Sequence, residues 1–189
     1  MTNNGLMKTS VALVSSALLA SMTASANPAE FGWKDQKGNP VPDTESQRTV
    51  AGFGAWLIVT SDEDWETKWE TPSENVPRFV TANTVSRGGK LFILTLFSNP
   101  KVDAASKADV VMNIDVYRPD GSSSTHQQNA TCFRGPILGS PQNLYLCDPV
   151  IGFVGDPTDP LGHWSVKISL TDNLRNVTVP VSSGFVLKE

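Results

Sequence analysis

The sequence predicts an all-β domain, an antiparallel sandwich of about eight or nine strands with one short helix near residues 62–70. Apolar residues recur at period two in several separate runs, most clearly in Trp164-Ser165-Val166-Lys167-Ile168-Ser169-Leu170. Turn-forming residues divide these runs at intervals of roughly 10 to 20 residues, and such a series of short strands favours a sandwich. The composition, 39% hydrophobic and 18% charged, is that of an ordinary globular domain and not of a disordered chain.

Residues 1–26 read as an export signal. Lys8 supplies the positive start, Val11 to Leu19 form a short apolar run, and Ala24-Ser25-Ala26 offers the small residues of a cleavage site after Ala26. The apolar run is shorter than the roughly 20 residues a membrane span requires. Removing this leader leaves 163 residues with 14 basic against 19 acidic side chains. That negative balance argues against a nucleic-acid binder. The expected setting is the periplasm or the cell exterior of a bacterium.

Residues 27–49 are polar and rich in turn formers (Pro28, Gly38, Pro40, Pro42) and read as an extended arm, with Phe31 and Trp33 as docking points. The sandwich domain is expected over residues 50–189. Its first strand is Ala55–Thr60. Ser61-Asp62-Glu63-Asp64 then opens the helix, with Ser61 as N-cap and the acids suited to a helix start. Trp65 and Trp69 stand one turn apart on one face of it, and Pro72 ends it. Phe79–Val85 is the next strand candidate. Leu91 to Phe97 is apolar on both parities, as in a central strand.

Val110, Met112, Ile114 and Val116 define a further buried face, and Pro119-Asp120-Gly121 a tight turn after it. Thr125–Phe133, Leu144–Cys147 and Val150–Val154 follow. Asp159-Pro160-Leu161-Gly162 leads into the Trp164 strand, and Asp172-Asn173 links it to the last one. In that last strand Val177, Val179, Val181, Phe185 and Leu187 share a parity. Pro180 cannot donate to a ladder, so an edge or a bulge is expected there.

Cys132 and Cys147 are the two cysteines of the chain. In an exported protein they read as one disulfide, worth about 3 kcal/mol for a loop of about 15 residues.

Motifs for chemistry are scarce. Gly52-Phe53-Gly54 begins like a dinucleotide loop, but Leu57 stands where a third glycine is needed. Ser98-Asn99-Pro100-Lys101 has the Ser-x-x-Lys spacing of penicillin-recognising enzymes, yet Pro100 breaks the helix that motif requires. His126 and His163 are the imidazoles available to a hydrolase, and no Gly-x-Ser-x-Gly turn accompanies them. Asp62, Glu63 and Asp64, and the looser Asp156 and Asp159, lack the spacing of a calcium loop. No cofactor and no metal site is expected.

Two segments resemble a known family. Asp159-Pro160-Leu161-Gly162-His163-Trp164-Ser165-Val166, then Leu170-Thr171-Asp172 and a Val-rich strand ending Phe185-Val186-Leu187, is similar to the closing half of bacterial exported immunoglobulin-like domains. Asp115-Val116-Tyr117-Arg118-Pro119-Asp120-Gly121 resembles the strand and turn of the same domains. The resemblance spans about Leu91 to Leu187. It implies an Ig-like sandwich that binds or scaffolds, without catalytic residues. Cys132 and Cys147 lie too close in sequence for the inter-sheet bridge of antibody domains, so they are expected to staple neighbouring strands or a long hairpin.

The function expected is therefore binding or scaffolding in the bacterial envelope, with a protein partner favoured over a glycan. Trp65, Trp69 and Trp33 are the candidate contact residues, since exposed aromatics form docking or stacking surfaces. The alternatives are a carbohydrate-binding module, which needs exposed tryptophan rings, and a hydrolase built on His126 or His163.

Overall fold

Period-two alternation decides which face each strand buries, and strand pairing sorts the chain into two sheets. The computed structural model describes residues 32–35, 37–70 and 78–189. The leader expected over residues 1–26 and the helix stop at Pro72 lie outside them. In chain order the elements are β1 (Gln47–Val50), β2 (Phe53–Thr60), α1 (Trp65–Trp69), β3 (Thr84–Ser86), β4 (Lys90–Ser98) and β5 (Lys107–Tyr117). There follow β6 (Ser123–Pro136), β7 (Leu144–Leu146), β8 (Ile151–Val154), β9 (Gly162–Asp172) and β10 (Val177–Lys188).

The first sheet runs β1-β2-β4, with β7 and β8 both pairing the far side of β4. The second runs β3-β10-β9-β5-β6. All pairs are antiparallel except β3 with β10. The all-β sandwich is thus the one the alternation predicts, with ten strands among the described residues. The tenth is β1, whose Gln47–Val50 lie inside the stretch read as an arm or just after it.

Between the sheets lies the main core. Phe53, Leu57, Leu91, Ile93 and Phe97 from the first sheet meet Met112, Ile114, Trp164, Val166, Ile168, Leu170 and Phe185 from the second. Each such side chain, fully buried, contributes roughly 1.5–3 kcal/mol. The Trp164 and Phe185 rings stack at 6.2 Å with an interplanar angle of 8°.

Pro180 sits opposite Ser169 of β9, in the ladder. Its parity is that of Ser182, whose N–H points away from β9 and reaches Glu45 O at 2.7 Å. The missing donor of Pro180 therefore faces the side where β3, paired only at Val186–Lys188, does not extend. Locally it is an edge, as the sequence suggests.

The disulfide forms between Cys132 and Cys147, with Cα atoms 4.3 Å apart. It does not staple a hairpin. Cys132 lies in β6, the edge of the second sheet, and Cys147 directly follows β7 in the first. Cys147 N–H donates to Thr95 O at 2.9 Å, and Asp148 N–H crosses to Cys132 O at 2.9 Å. The bridge thus closes the open side of the sandwich. Sequence separation argued against an inter-sheet link, yet β6 and β7, consecutive along the chain, belong to different sheets.

Helix α1 is shorter than the stretch expected near residues 62–70, and its N-cap is Asp64 rather than Ser61. No side chain caps it. The preceding acid is used otherwise: Asp62 Oδ2 accepts from Val80 N–H at 2.8 Å and pairs with Lys68 Nζ at 2.9 Å. Residues 79–83, expected as strand, instead cross between the sheets. Thr60 and Thr81 form an isolated bridge, and Asn83 O accepts from Val186 N–H before β3 begins.

At the far end, Asp172 is fully buried and gathers three loops. Its carboxylate accepts from Lys101 N–H at 2.7 Å, Arg175 N–H at 3.0 Å and Arg175 Nε at 3.3 Å. Arg175 in turn donates to Ala51 O and Asn99 O. A buried carboxylate tolerates its site only with such partners.

Candidate functional site

The outward residues of the two sheets differ. On the first sheet Ile58, Leu94 and Leu96 are buried on the outer face, with Trp56, Phe92, Phe79, Leu144 and Leu146 packed around them. Trp65 and Trp69 of α1 cover this patch, and the Trp65 ring lies 6.1 Å from Phe92. Trp33 packs edge-on against Trp56 at 6.1 Å and is 8% exposed. The three tryptophans expected at a contact surface thus serve as cover for a sheet face. Trp33 is buried and the other two are half-buried.

The second sheet presents a bare polar face. His163, Ser165, Lys167, Ser169 and Thr171 point outward from β9, while Trp164, Val166, Ile168 and Leu170 point in. Register places Tyr117 of β5 and Gly184 of β10 on either side of Ser165. One row along, Asp115 lies between His126 of β6 and Lys167 of β9. A groove of about 460 Å³ opens here, lined by Tyr117, Arg118, Pro119, Gly121, His163, Ser165 and Lys167.

Local structure fixes the walls. The β5–β6 turn is closed by Arg118 N–H to Ser122 O and Gly121 N–H to Arg118 O, each 2.9 Å. Ser122 N–H donates to Asp120 Oδ1 at 2.9 Å. Hydrogen bonding by the Ser122 side chain and N–H, with a smaller contribution from the Arg118 charge, holds the Asp120 carboxyl below the ordinary carboxylate range. Gly162, at φ 123°, lets the Pro119 ring approach: a Cβ there would stand 3.2 Å from Pro119 Cβ. On the floor, a Cβ on Gly184 would stand 2.6 Å from Trp164 O and 2.8 Å from His163 Nε2. The His163 ring therefore occupies space that only a glycine leaves open.

Two cations are among the residues that line the groove, Lys167 and Arg118. Lys167 Nζ lies 5.3 Å from the centre of the Tyr117 ring. The Arg118 guanidinium lies 5.9 Å from the Trp164 ring and donates to Ser123 O at 2.6 Å. Among the described residues neither has a carboxylate within ion-pair distance. Chemically, the arrangement can attract anionic groups and donate hydrogen bonds.

Other candidates fall apart in space. His126 Nδ1 lies 2.6 Å from Asp115 Oδ1, half of a hydrolase arrangement. Among the described residues Asp115 is the hydrogen-bond partner of that ring, with no serine or threonine on it, and the pair stands on an open sheet face. Ser98 Oγ donates to Gln142 O, and Lys101 is held by its backbone, so Ser-x-x-Lys is a turn. Asp156 and Asp159 accept from Thr158 and Asp156 N–H within their own loop. Among the described residues no three His, Cys, Asp or Glu side chains converge as a metal site would require, and no helix is long and apolar enough to cross a membrane.

The groove escaped sequence reading. Tyr117, Arg118, Lys167 and Gly184 were legible as turn residues or as the polar parity of a strand, and register alone joins them. Both segments that carry the immunoglobulin-like resemblance end here. Gly162 meets Pro119, and Trp164 Nε1 donates to Pro160 O at 3.1 Å.

No family model matches the chain, and no curated protein matches it. Solved structures show low similarity to it. A family 123 glycoside hydrolase from Clostridium perfringens is 8% identical at a TM-score of 0.40, over 71% of this chain and 27% of that one. A Niemann-Pick type C2 protein from Japanese carpenter ant is 13% identical at a TM-score of 0.39, over 70% and 89%. A FixG-related protein from Vibrio parahaemolyticus is 12% identical at a TM-score of 0.36, over 72% and 97%. This chain spans 27% of the glycoside hydrolase, and likeness at these scores carries no argument about function.

Proposed function

We propose that the chain is an exported binding or scaffold protein that acts without catalysis and meets a protein partner on the outer face of its second sheet. The carrying observation is the asymmetry of the two outer faces. One is closed by α1 and its tryptophans; the other is open, polar and indented at Tyr117, His163 and Lys167. This moves the contact surface expected at Trp65, Trp69 and Trp33 to the opposite side of the molecule. A disulfide fits an oxidising compartment, which supports the periplasmic or extracellular setting. Fold by itself supports binding only by analogy.

A pull-down from native envelope extract tests this, comparing wild type with Tyr117→Ala/Lys167→Ala and Trp65→Ala/Trp69→Ala. The groove variant is expected to lose the partner while melting as wild type does. The helix variant is expected to keep it. Loss in the helix variant alone returns the contact to α1, and no partner from any form overturns the reading.

A further inference from the structure

We infer that the groove takes an acidic, extended segment of a partner protein, with carboxylates seated at Lys167 and Arg118. This deepens the binding function proposed above and rests on it. Three observations carry it.

First, the lining holds Arg118, Lys167 and His163 and no acid, in a chain whose net charge is −4. The two acids nearest the groove are engaged elsewhere. Asp120 accepts from Ser122 within its turn. Asp115 stands beside Lys167 in register, yet its Oδ1 lies 2.6 Å from His126 Nδ1 and Lys167 turns to the Tyr117 ring instead. His126 thereby acts as a positioning residue: by holding Asp115, it leaves the Lys167 charge to the groove.

Second, the cations are held apart. Lys167 lies in the row of Asp115, and Arg118, three residues beyond Asp115, directly follows the end of β5 at Tyr117. At the rise of a strand this separates their backbones by about 10 Å. Each is laid against a different ring, Tyr117 or Trp164. Two separate cationic points suit a chain that bears more than one carboxylate better than a single small anion.

Third, the site is shaped in advance. The Gly162–Pro119 approach and the His163 ring over Gly184 fix wall and floor, so little ordering is required on binding.

Hexaglutamate is the probe, titrated calorimetrically at low salt against the full domain. Binding is expected to weaken with added salt. It should fall at least tenfold in Lys167→Ala, recover in Lys167→Arg, and be unchanged in Lys101→Ala, a lysine at the opposite end of the sandwich. His126→Ala should weaken it severalfold by freeing Asp115 for Lys167, and His126→Ala/Asp115→Asn should restore it. Equal affinity for inorganic phosphate, binding to phosphatidylglycerol vesicles in place of the peptide, or no binding overturns the inference. Unchanged affinity in His126→Ala overturns the role of Asp115. If hexaglutamate fails while Tyr117→Ala/Lys167→Ala still loses its captured partner, the binding surface stands and its acidic ligand falls.

Discussion

The two outer sheet faces share a backbone geometry and carry opposite chemistry. Along β4, residues 92, 94 and 96 are Phe, Leu and Leu; along β9, residues 163, 165 and 167 are His, Ser and Lys. A strand that is apolar on both parities must be covered on both faces, and α1 with Trp33, Trp65 and Trp69 supplies the cover. A strand apolar on one parity can leave its other face to water. The tryptophans that suggest a binding surface pack on the first sheet, and the second sheet presents a face with little apolar area.

The sharpest break of this comparison is a matched pair of truncations. Leu94→Ala removes a buried side chain from the covered face and should cost about 2–5 kcal/mol in urea unfolding. Ser169→Ala, on the bare face, should stay within about 0.5 kcal/mol. Equal costs would mean that the faces do not differ as described.

The disulfide comes next. Cys132→Ser/Cys147→Ser unties the facing edges of the sheets and should cost about 3 kcal/mol in the chain-entropy picture. For a domain of this size that lowers the midpoint of thermal unfolding by roughly 6–12 °C. A midpoint within 2 °C of wild type would show that the edge holds without it, and that the asymmetry of the faces owes nothing to the bridge.

What sequence reading reached and what it missed divide along a physical line. Parity is local, so the inward faces of β5, β9 and β10 could be read directly, and so could the two-sided burial of β4. Pro180 was readable as a local edge because the lack of a donor is a property of one residue. Register and sheet membership are not local. Tyr117, Ser165 and Gly184 meet because three strands align, and nothing in any one of them says so. Sequence separation likewise misassigned the Cys132–Cys147 bridge, since β6 and β7 are consecutive yet belong to different sheets. The helix start failed for a different reason. Ser61 suits a cap by type, but Asp62 is engaged by Val80 N–H and Lys68, and the helix begins after Asp64 with no side-chain cap.

Gly184→Ala sharpens the comparison inside the groove. The added carbon has no room beside the Trp164 carbonyl, and His163 must leave its place. The expected cost is about 1–2 kcal/mol. The imidazole resonances of His163 should shift in NMR spectra while those of His126, one row beyond Tyr117, stay fixed. A variant of full stability with an unmoved His163 would remove Gly184 from the construction of the site.

The smallest expected effect lies in the turn that walls the groove. Asp120 has its carboxyl pKa held below the ordinary 3.8 by hydrogen bonding from Ser122, with help from the Arg118 charge. A depressed carboxyl pKa stabilises the fold fully above its unfolded value and loses that contribution as the pH falls through the folded value. Wild type should therefore melt slightly above Asp120→Ala at neutral pH, and the difference should vanish as the pH drops below about 3.8. The carboxyl is exposed, so solvent screening keeps the effect small. Its counterpart on the covered face behaves differently. Trp65 and Trp69 carry no titrating group, so the loss in Trp65→Ala/Trp69→Ala should persist across the same pH range. A melting difference for Asp120→Ala that is the same at pH 2 and pH 7 would show that the turn is held by its backbone alone, and that the carboxylate contributes nothing to the wall.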